Sequence, residues 1–170
     1  TFLAPKGETK VNGHSTQIIT DKALDWLKKR NRKKPFLLCT QYKVPHIHRL
    51  PPPAHIGGYD EYEFPVPETF FDDFSTRSPF VSKTWMALQG MKGHVLNIAP
   101  LESEIEANPK LRPPFLTEMS PKQRKAWHQA YDPRNKRYRE LEKQGKLNGD
   151  ERNLYVYQRF IKDYVRCIDG

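Results

Sequence analysis

Lys34-Pro35-Phe36-Leu37-Leu38-Cys39-Thr40-Gln41-Tyr42-Lys43-Val44-Pro45-His46-Ile47-His48-Arg49 is the stretch on which the reading of the fold turns. Pro35 opens a short run, Phe36 to Thr40, without polar alternation, which suits a strand buried on both faces. Cys39, inside that run, reads as a buried, inert thiol. Just before it, residues 16–30 have helical spacing, with Ile19, Ala23, Trp26 and Leu27 on one side and Ser15 or Thr16 as the cap. Lys28, Lys29 and Arg30 fall at its C-terminal end, where cations suit the helix dipole. Helix, basic turn and buried strand make half of a βαβ unit. The expectation is an α/β architecture with one or few parallel strands, helices and long loops.

Ligands in open α/β sheets bind beyond the carboxyl ends of strands. The loop expected there carries Lys43, His46, His48 and Arg49, followed by Pro51, Pro52 and Pro53. An imidazole at that place can donate to an anionic oxygen or protonate a leaving alkoxide. Lys43 adds a point charge, His48 and Arg49 extend a cationic rim, and the prolines lower the cost of ordering the loop. His46 is therefore the candidate catalytic residue, and Lys43, His48 and Arg49 are candidate substrate-binding residues. On composition alone, a solvated basic loop is the better account of these side chains.

Further along, residues 54–79 hold Gly57-Gly58, Pro65, Pro67 and Pro79 and read as irregular. A helix is expected over 80–92, with Phe80, Thr84, Leu88 and Met91 on one side, and residues 93–116 read as loop with one short helical turn. Ser120-Pro121-Lys122-Gln123 is a helix start with a capping box. Asp132-Pro133 is expected to restart a second helix that fades before Gly145. The last helix is expected from about 150 to the end, with Leu154, Tyr157, Ile161, Tyr164 and Ile168 as its apolar stripe. Trp127, Tyr131 and Tyr138 recur at near-helical spacing, which points to core contacts.

The 170 residues are 36% hydrophobic with fifteen prolines and a net charge of +9. The pI is 9.5 and the mean hydropathy -0.83. This is a polar chain for its length, as expected of long surface loops or of a core completed by other sequence. The charge is uneven: residues 59–73 hold six acids and no Lys or Arg, whereas 110–146 hold eleven Lys/Arg against four acids. Such a balance admits nucleic acid, an anionic polysaccharide, a membrane surface or a small anionic substrate as partner. The basic stretch 122–139 lacks a nucleic-acid-binding signature, so a solvated helix face is the better reading and no nucleic acid is expected. Asp72-Asp73 could serve a metal, but a helix cap or a partner for Arg77 accounts for them better. Neither Cys39 nor Cys167 stands in a metal-ligand spacing, and no metal site is expected within the chain. No stretch approaches transmembrane length, and no signal-peptide pattern opens the chain, which begins with Thr1. None of the common phosphate-loop, dinucleotide, zinc-protease or serine-hydrolase motifs occurs.

Several collinear segments resemble the sulfatase family of the alkaline-phosphatase superfamily. Thr20-Asp21-Lys22-Ala23-Leu24-Asp25-Trp26-Leu27, Lys34-Pro35-Phe36-Leu37-Leu38 and Lys43-Val44-Pro45-His46 are similar to its helix, strand and KAPH-type loop. Pro67 to Arg77, Met119 to Trp127 with Ala130 to Pro133, and Tyr157 to Cys167 resemble segments of bacterial glycan sulfatases of the N-acetylglucosamine-6-sulfatase type. The resemblance implies that residues 1–170 are the central portion of a catalytic domain, incomplete at both ends, from an exported enzyme that hydrolyses sulfate esters of carbohydrate. It implies a formylglycine nucleophile and a calcium ion whose residues lie outside this chain, so the chain alone is expected to be inactive. It implies that His46 contacts the sulfate and assists the leaving group, and that Lys43 touches substrate. The family's Arg and Trp after the His are Ile47 and Arg49 here, which leaves the sugar specificity open. Two other readings stand beside it: a phosphodiesterase or phosphonate hydrolase of the same superfamily, or a basic, non-catalytic module binding polyanions.

Overall fold

A computed structural model describes residues 2–4, 7–9, 11–84, 87–91 and 93–170. The chain divides into two compact units, Thr1–Val44 and Pro45–Gly170.

The first unit opens with strands β1 (Phe2–Ala4) and β2 (Gly7–Thr9). They pair antiparallel, with Phe2 opposite Thr9 and Ala4 opposite Gly7. Helix α1 (Ser15–Lys29) forms where its spacing predicts. Its N-cap, however, is His14 rather than Ser15 or Thr16, and no side chain makes a capping bond there. Lys29 pairs with Asp25 one turn back, a solvent-exposed contact of the i,i+4 type. The expected strand over Phe36 to Thr40 is not present: these residues adopt no regular secondary structure. Leu37 is 86% exposed and Cys39 is exposed, so the buried-thiol reading of Cys39 is corrected as well. The physical reason is the lack of neighbours. A strand is defined by its ladder, and among the described residues none pairs with this one. Phe36 instead tilts against Trp26, with ring centroids 5.4 Å apart, beneath the Arg30 guanidinium at 4.1 Å.

The second unit is helical with long irregular connections. Short helices α2 (Pro79–Ser82), α3 (Glu102–Ala107) and α4 (Pro114–Thr117) precede the long α5 (Pro121–Lys143) and α6 (Gly149–Asp169). The helix expected over 80–92 is reduced to α2 and a 3-10 turn at Leu88–Gly90; Trp85, Met86 and Lys92 fall outside the described residues. Residues 93–116 hold more helix than expected, in α3, α4 and two 3-10 turns.

Ser120 caps α5 as predicted. The Gln123 N–H donates to Ser120 Oγ at 3.3 Å, and Gln123 Oε1 accepts from the Ser120 N–H at 2.8 Å. α5 does not restart at Asp132-Pro133 but continues through Pro133. A proline inside a helix costs about 3 kcal/mol. Here Tyr131 and Asn135, on either side of it, are fully buried, so packing overrides the local preference. The helix ends at Gly145, whose φ of 68° suits glycine, with the Lys146 N–H closing back on Leu141 O at 2.9 Å.

Ala99, Ile105, Leu116, Trp127 and Tyr131 form the core, with Leu50, Ile56 and Phe115 packed against it. The Trp127 and Tyr131 rings stack at 4.8 Å, and Phe115 meets Trp127 edge-on at 5.5 Å. Burying a side chain of Leu size contributes roughly 1.5–3 kcal/mol.

α6 departs most from its sequence reading. The predicted stripe is only half-buried, and Ile168 is exposed. The buried positions are Asn153, Val156, Arg159, Asp163, Arg166 and Cys167. Irregular backbone explains the polar ones. Residues 88–91 and 93–97 form only 3-10 turns and loop, and their carbonyls need donors. Arg152 donates to Leu88 O at 3.1 Å and Met91 O at 3.3 Å, while Arg159 Nε donates to Leu96 O at 2.7 Å. A guanidinium suits this task because it offers five N–H donors in one plane.

Candidate functional site

The candidate residues fall on both sides of the boundary between the units. Lys43 is exposed near the end of the first unit; its neighbour Tyr42 hydrogen-bonds Thr20 through its hydroxyl at 3.0 Å. His46, His48 and Arg49 open the second.

His46 is exposed, with Nδ1 2.6 Å from Ile47 O. A carbonyl only accepts, so Nδ1 carries the hydrogen and donates. Nε2 is left to accept from, or in the imidazolium to donate to, a group outside the loop. The imidazole thus stands in solvent rather than against the interior. The tip of an interior strand, where the sequence reading set the loop, is absent.

His48 is half-buried and stacks on Phe115, with centroids 4.4 Å apart and planes 27° from parallel. Arg49 is 8% exposed, where the sequence suggested a solvent-facing rim. Its Nη1 donates to Val95 O at 3.1 Å, and its guanidinium lies over the Phe160 ring at 4.2 Å. Burial lowers its pKa, and the nearby Asp163 carboxylate opposes that shift. The loop therefore has an exposed tip at His46 and a buried root at Arg49. Composition could not separate these two histidines and this arginine, because nothing local shows which of them meets an aromatic partner from α4 or α6.

The root is held by residues that sequence reasoning missed. Asn97 Nδ2 donates to Arg49 O at 2.8 Å and to Asp163 Oδ2 at 3.0 Å. Asp163 Oδ1 accepts from Tyr131 Oη at 3.0 Å and Arg166 Nη1 at 2.7 Å. Tyr131, held by burial first and the Asp163 charge second, titrates well above the ordinary tyrosine range and stays a donor. No local signal marks Asn97 or Asp163.

A cleft beside α6 is lined by Asp60, Arg134, Arg159, Lys162, Asp163 and Arg166. Its cations have protein acceptors. Arg134 donates to Ile56 O and Asp60, Lys162 to Asp60 O, and Arg166 to Asp60 and Asp163. The cleft is thus a network that holds residues 56–60 to α5 and α6. Asp72 accepts from the Phe74 N–H at 2.8 Å and pairs with Arg77, and these contacts lower its pKa in that order. Asp73 accepts from the Ser75 N–H at 2.8 Å. The two acids therefore close a turn. Among the described residues no three His, Cys, Asp or Glu side chains come together to hold a metal. Among them, too, no helix is long and apolar enough to cross a membrane.

No family model matches the chain. An N-acetylglucosamine-6-O-sulfatase of Bacteroides thetaiotaomicron is 28% identical to it over 158 residues, which is 92% of this chain and 28% of that protein. The structure of BT4656 in complex with its substrate D-glucosamine-2-N,6-O-disulfate superimposes with a TM-score of 0.81 at 28% identity, over 93% of this chain and 32% of that one. The chain thus spans about a third or less of the length of the relatives it matches. Over nearly all of its length the chain is thus similar in sequence and in fold to part of a sulfatase.

Proposed function

We propose that the full-length protein is a sulfuric ester hydrolase acting on a sulfated carbohydrate, and that residues 1–170 are the central portion of its alkaline-phosphatase-like catalytic domain. The observation that carries this reading is the match along 92% of the chain to a sulfatase, joined to a TM-score of 0.81 with a protein solved with a disulfated glucosamine. A sulfated glucosamine is the substrate class in best accord with both, and an exported enzyme is in accord with such a substrate.

In this reading His46 is the residue that touches the reacting ester. Its Nδ1–H is spent on Ile47 O, so Nε2 faces the substrate and, when protonated, donates to an ester oxygen as charge builds on the leaving alkoxide. The resemblance gives Lys43 the part of a cation for the sulfuryl oxygens, and His48 stacks on Phe115. Arg49 acts from the interior, through the loop it roots, rather than from the rim.

The family resemblance implies calcium and a formylglycine. The residues present do not fit either: no acidic cluster forms among those described, and neither Cys39 nor Cys167 stands in a C-x-P-x-R sequence.

The test is an assay of the full-length protein on glucosamine 6-O-sulfate and on an aryl phosphate diester. Release of inorganic sulfate with little turnover of the diester is expected. Turnover of the diester alone would replace this reading with the phosphodiesterase one. Salt-sensitive heparin binding without any hydrolysis would replace it with a polyanion-binding module.

A further inference from the structure

We propose that Asn97 is a positioning residue for His46, fixing the root of its loop through a hydrogen bond to the Arg49 carbonyl. This rests on the sulfatase reading, in which His46 meets the substrate.

Asn97 is 1% exposed and sits at φ 52°, a left-handed conformation that asparagine tolerates better than most residues. Its two amide hydrogens are divided between Arg49 O and Asp163 Oδ2. Its own Oδ1 is buried without a hydrogen-bond partner. A left-handed backbone and an unsatisfied buried oxygen both cost stability. An apolar residue there would avoid the second cost but would leave the Arg49 carbonyl and one Asp163 oxygen without this donor.

The far side of the link is rigid. Tyr131 and Arg166 grip the other oxygen of Asp163, and Arg166 is itself tied to Asp60. Asn97 therefore joins a fixed carboxylate on α6 to the backbone three residues beyond His46. The Arg49 side chain holds the same residue from its other end, at Val95 O and Phe160. Residue 49 cannot shift without breaking both holds, whereas the His46 side chain, which is exposed, bonds among the described residues to its neighbour's carbonyl, Ile47 O. Catalysis by a positioned imidazole is sensitive to displacements of an ångström or less. A pinned root with an exposed tip meets that need without covering the ring.

Asn97→Gly in the full-length protein is the variant of choice, because glycine accepts the left-handed backbone and only the amide is lost. Asn135→Ala is the matched control: Asn135 is fully buried and bonded to Ala99 O and Arg159, so it reaches the Asn97 backbone through Arg159 but supplies no donor to Arg49 O. With both variants folded, Asn97→Gly is expected to lower kcat about 10- to 100-fold with KM within about threefold. It should also speed amide exchange at residues 46–50. Asn135→Ala is expected to do neither. Wild-type kcat and unchanged exchange in Asn97→Gly would overturn the proposal, as would equal losses in the two variants. If Asn97→Gly does not fold, Asn97→Ser, which keeps one donor, is read by the same two measurements and the same criteria. A wild-type protein that releases no sulfate would refute the function instead, and the exchange rates would still decide whether Asn97 holds the loop.

Discussion

In residues 1–44 large apolar side chains lie open, whereas in residues 45–170 charged side chains are buried. Leu37 is 86% exposed, and Leu24, Trp26 and Phe36 are each more than two-fifths exposed. α1 buries no residue at all. α6, by contrast, buries Arg159, Asp163 and Arg166, the last two at 2% exposure. Burial follows the partners a segment finds and not the polarity of its side chains. α1 and the run after it meet too little to cover them within their own unit. α6 runs along loops and 3-10 turns at 56–65, 88–91 and 93–97, whose carbonyls require donors, so arginines go inside with their charge balanced by Asp60 and Asp163.

Removing a buried partner should break this contrast most severely. Asp163→Ala strips acceptors from Arg166, Tyr131 and Asn97 together and leaves the buried Arg166 with the part-exposed Asp60 as its remaining ion-pair partner among the described residues. A loss of about 3–5 kcal/mol is expected from denaturant unfolding of the chain. A loss under about 1 kcal/mol would mean that the network is solvated.

The cysteines report on the same contrast without mutation. Cys39 is exposed, while Cys167 is 1% exposed. Burial first, and the Asp163 charge second, push the Cys167 thiol up to about 12. Iodoacetamide at neutral pH should label Cys39 promptly and reach Cys167 only after unfolding, as read by peptide mass spectrometry. Equal labelling rates would refute the interior described for α6.

Smaller effects refine it. Glu104 caps α3 by accepting from the Leu101 N–H and pairs with Arg139, and these contacts, in that order, lower its pKa. A depressed carboxyl stabilises the fold above the value of a free glutamate, and that gain is lost as pH falls through the folded value. Glu104→Gln should therefore destabilise at pH 7 by under about 1 kcal/mol, since the pair is part-exposed. The difference should start to shrink below about pH 4, where free glutamate protonates, and vanish only once the Glu104 carboxyl of the folded protein is protonated as well. A gap that widens in acid would reverse the sign. Least of all, Leu37→Ala in the 170-residue chain should change stability by under about 0.5 kcal/mol. A loss of about 2 kcal/mol or more would reveal a buried partner.

What the sequence disclosed divides along the same physical line. α1, the start of α5 and the extent of α6 follow from local rules: apolar spacing, the Ser120–Gln123 box, Pro121 and Gly145. The strand over Phe36 to Thr40 does not, since a ladder needs neighbours that no local pattern supplies. The continuation of α5 through Pro133 is decided by the burial of Tyr131 and Asn135, again beyond local reach. At the candidate site, Lys43 and His46 were visible as a cationic motif. The burial of Arg49 was hidden because it depends on Val95 and Phe160, distant in sequence. Asn97 and Asp163, which hold the loop from below, follow no motif and become apparent only once α6 lies against residues 95–97.

The most direct test of the role given to His46 is the turnover of His46→Ala in the full-length protein on glucosamine 6-O-sulfate. An exposed side chain that makes one bond to its neighbour's carbonyl should leave the fold and its melting temperature unchanged, while kcat falls by about 100-fold or more. Sulfate release at the wild-type rate from the folded variant would contradict the account and take the imidazole out of the reaction.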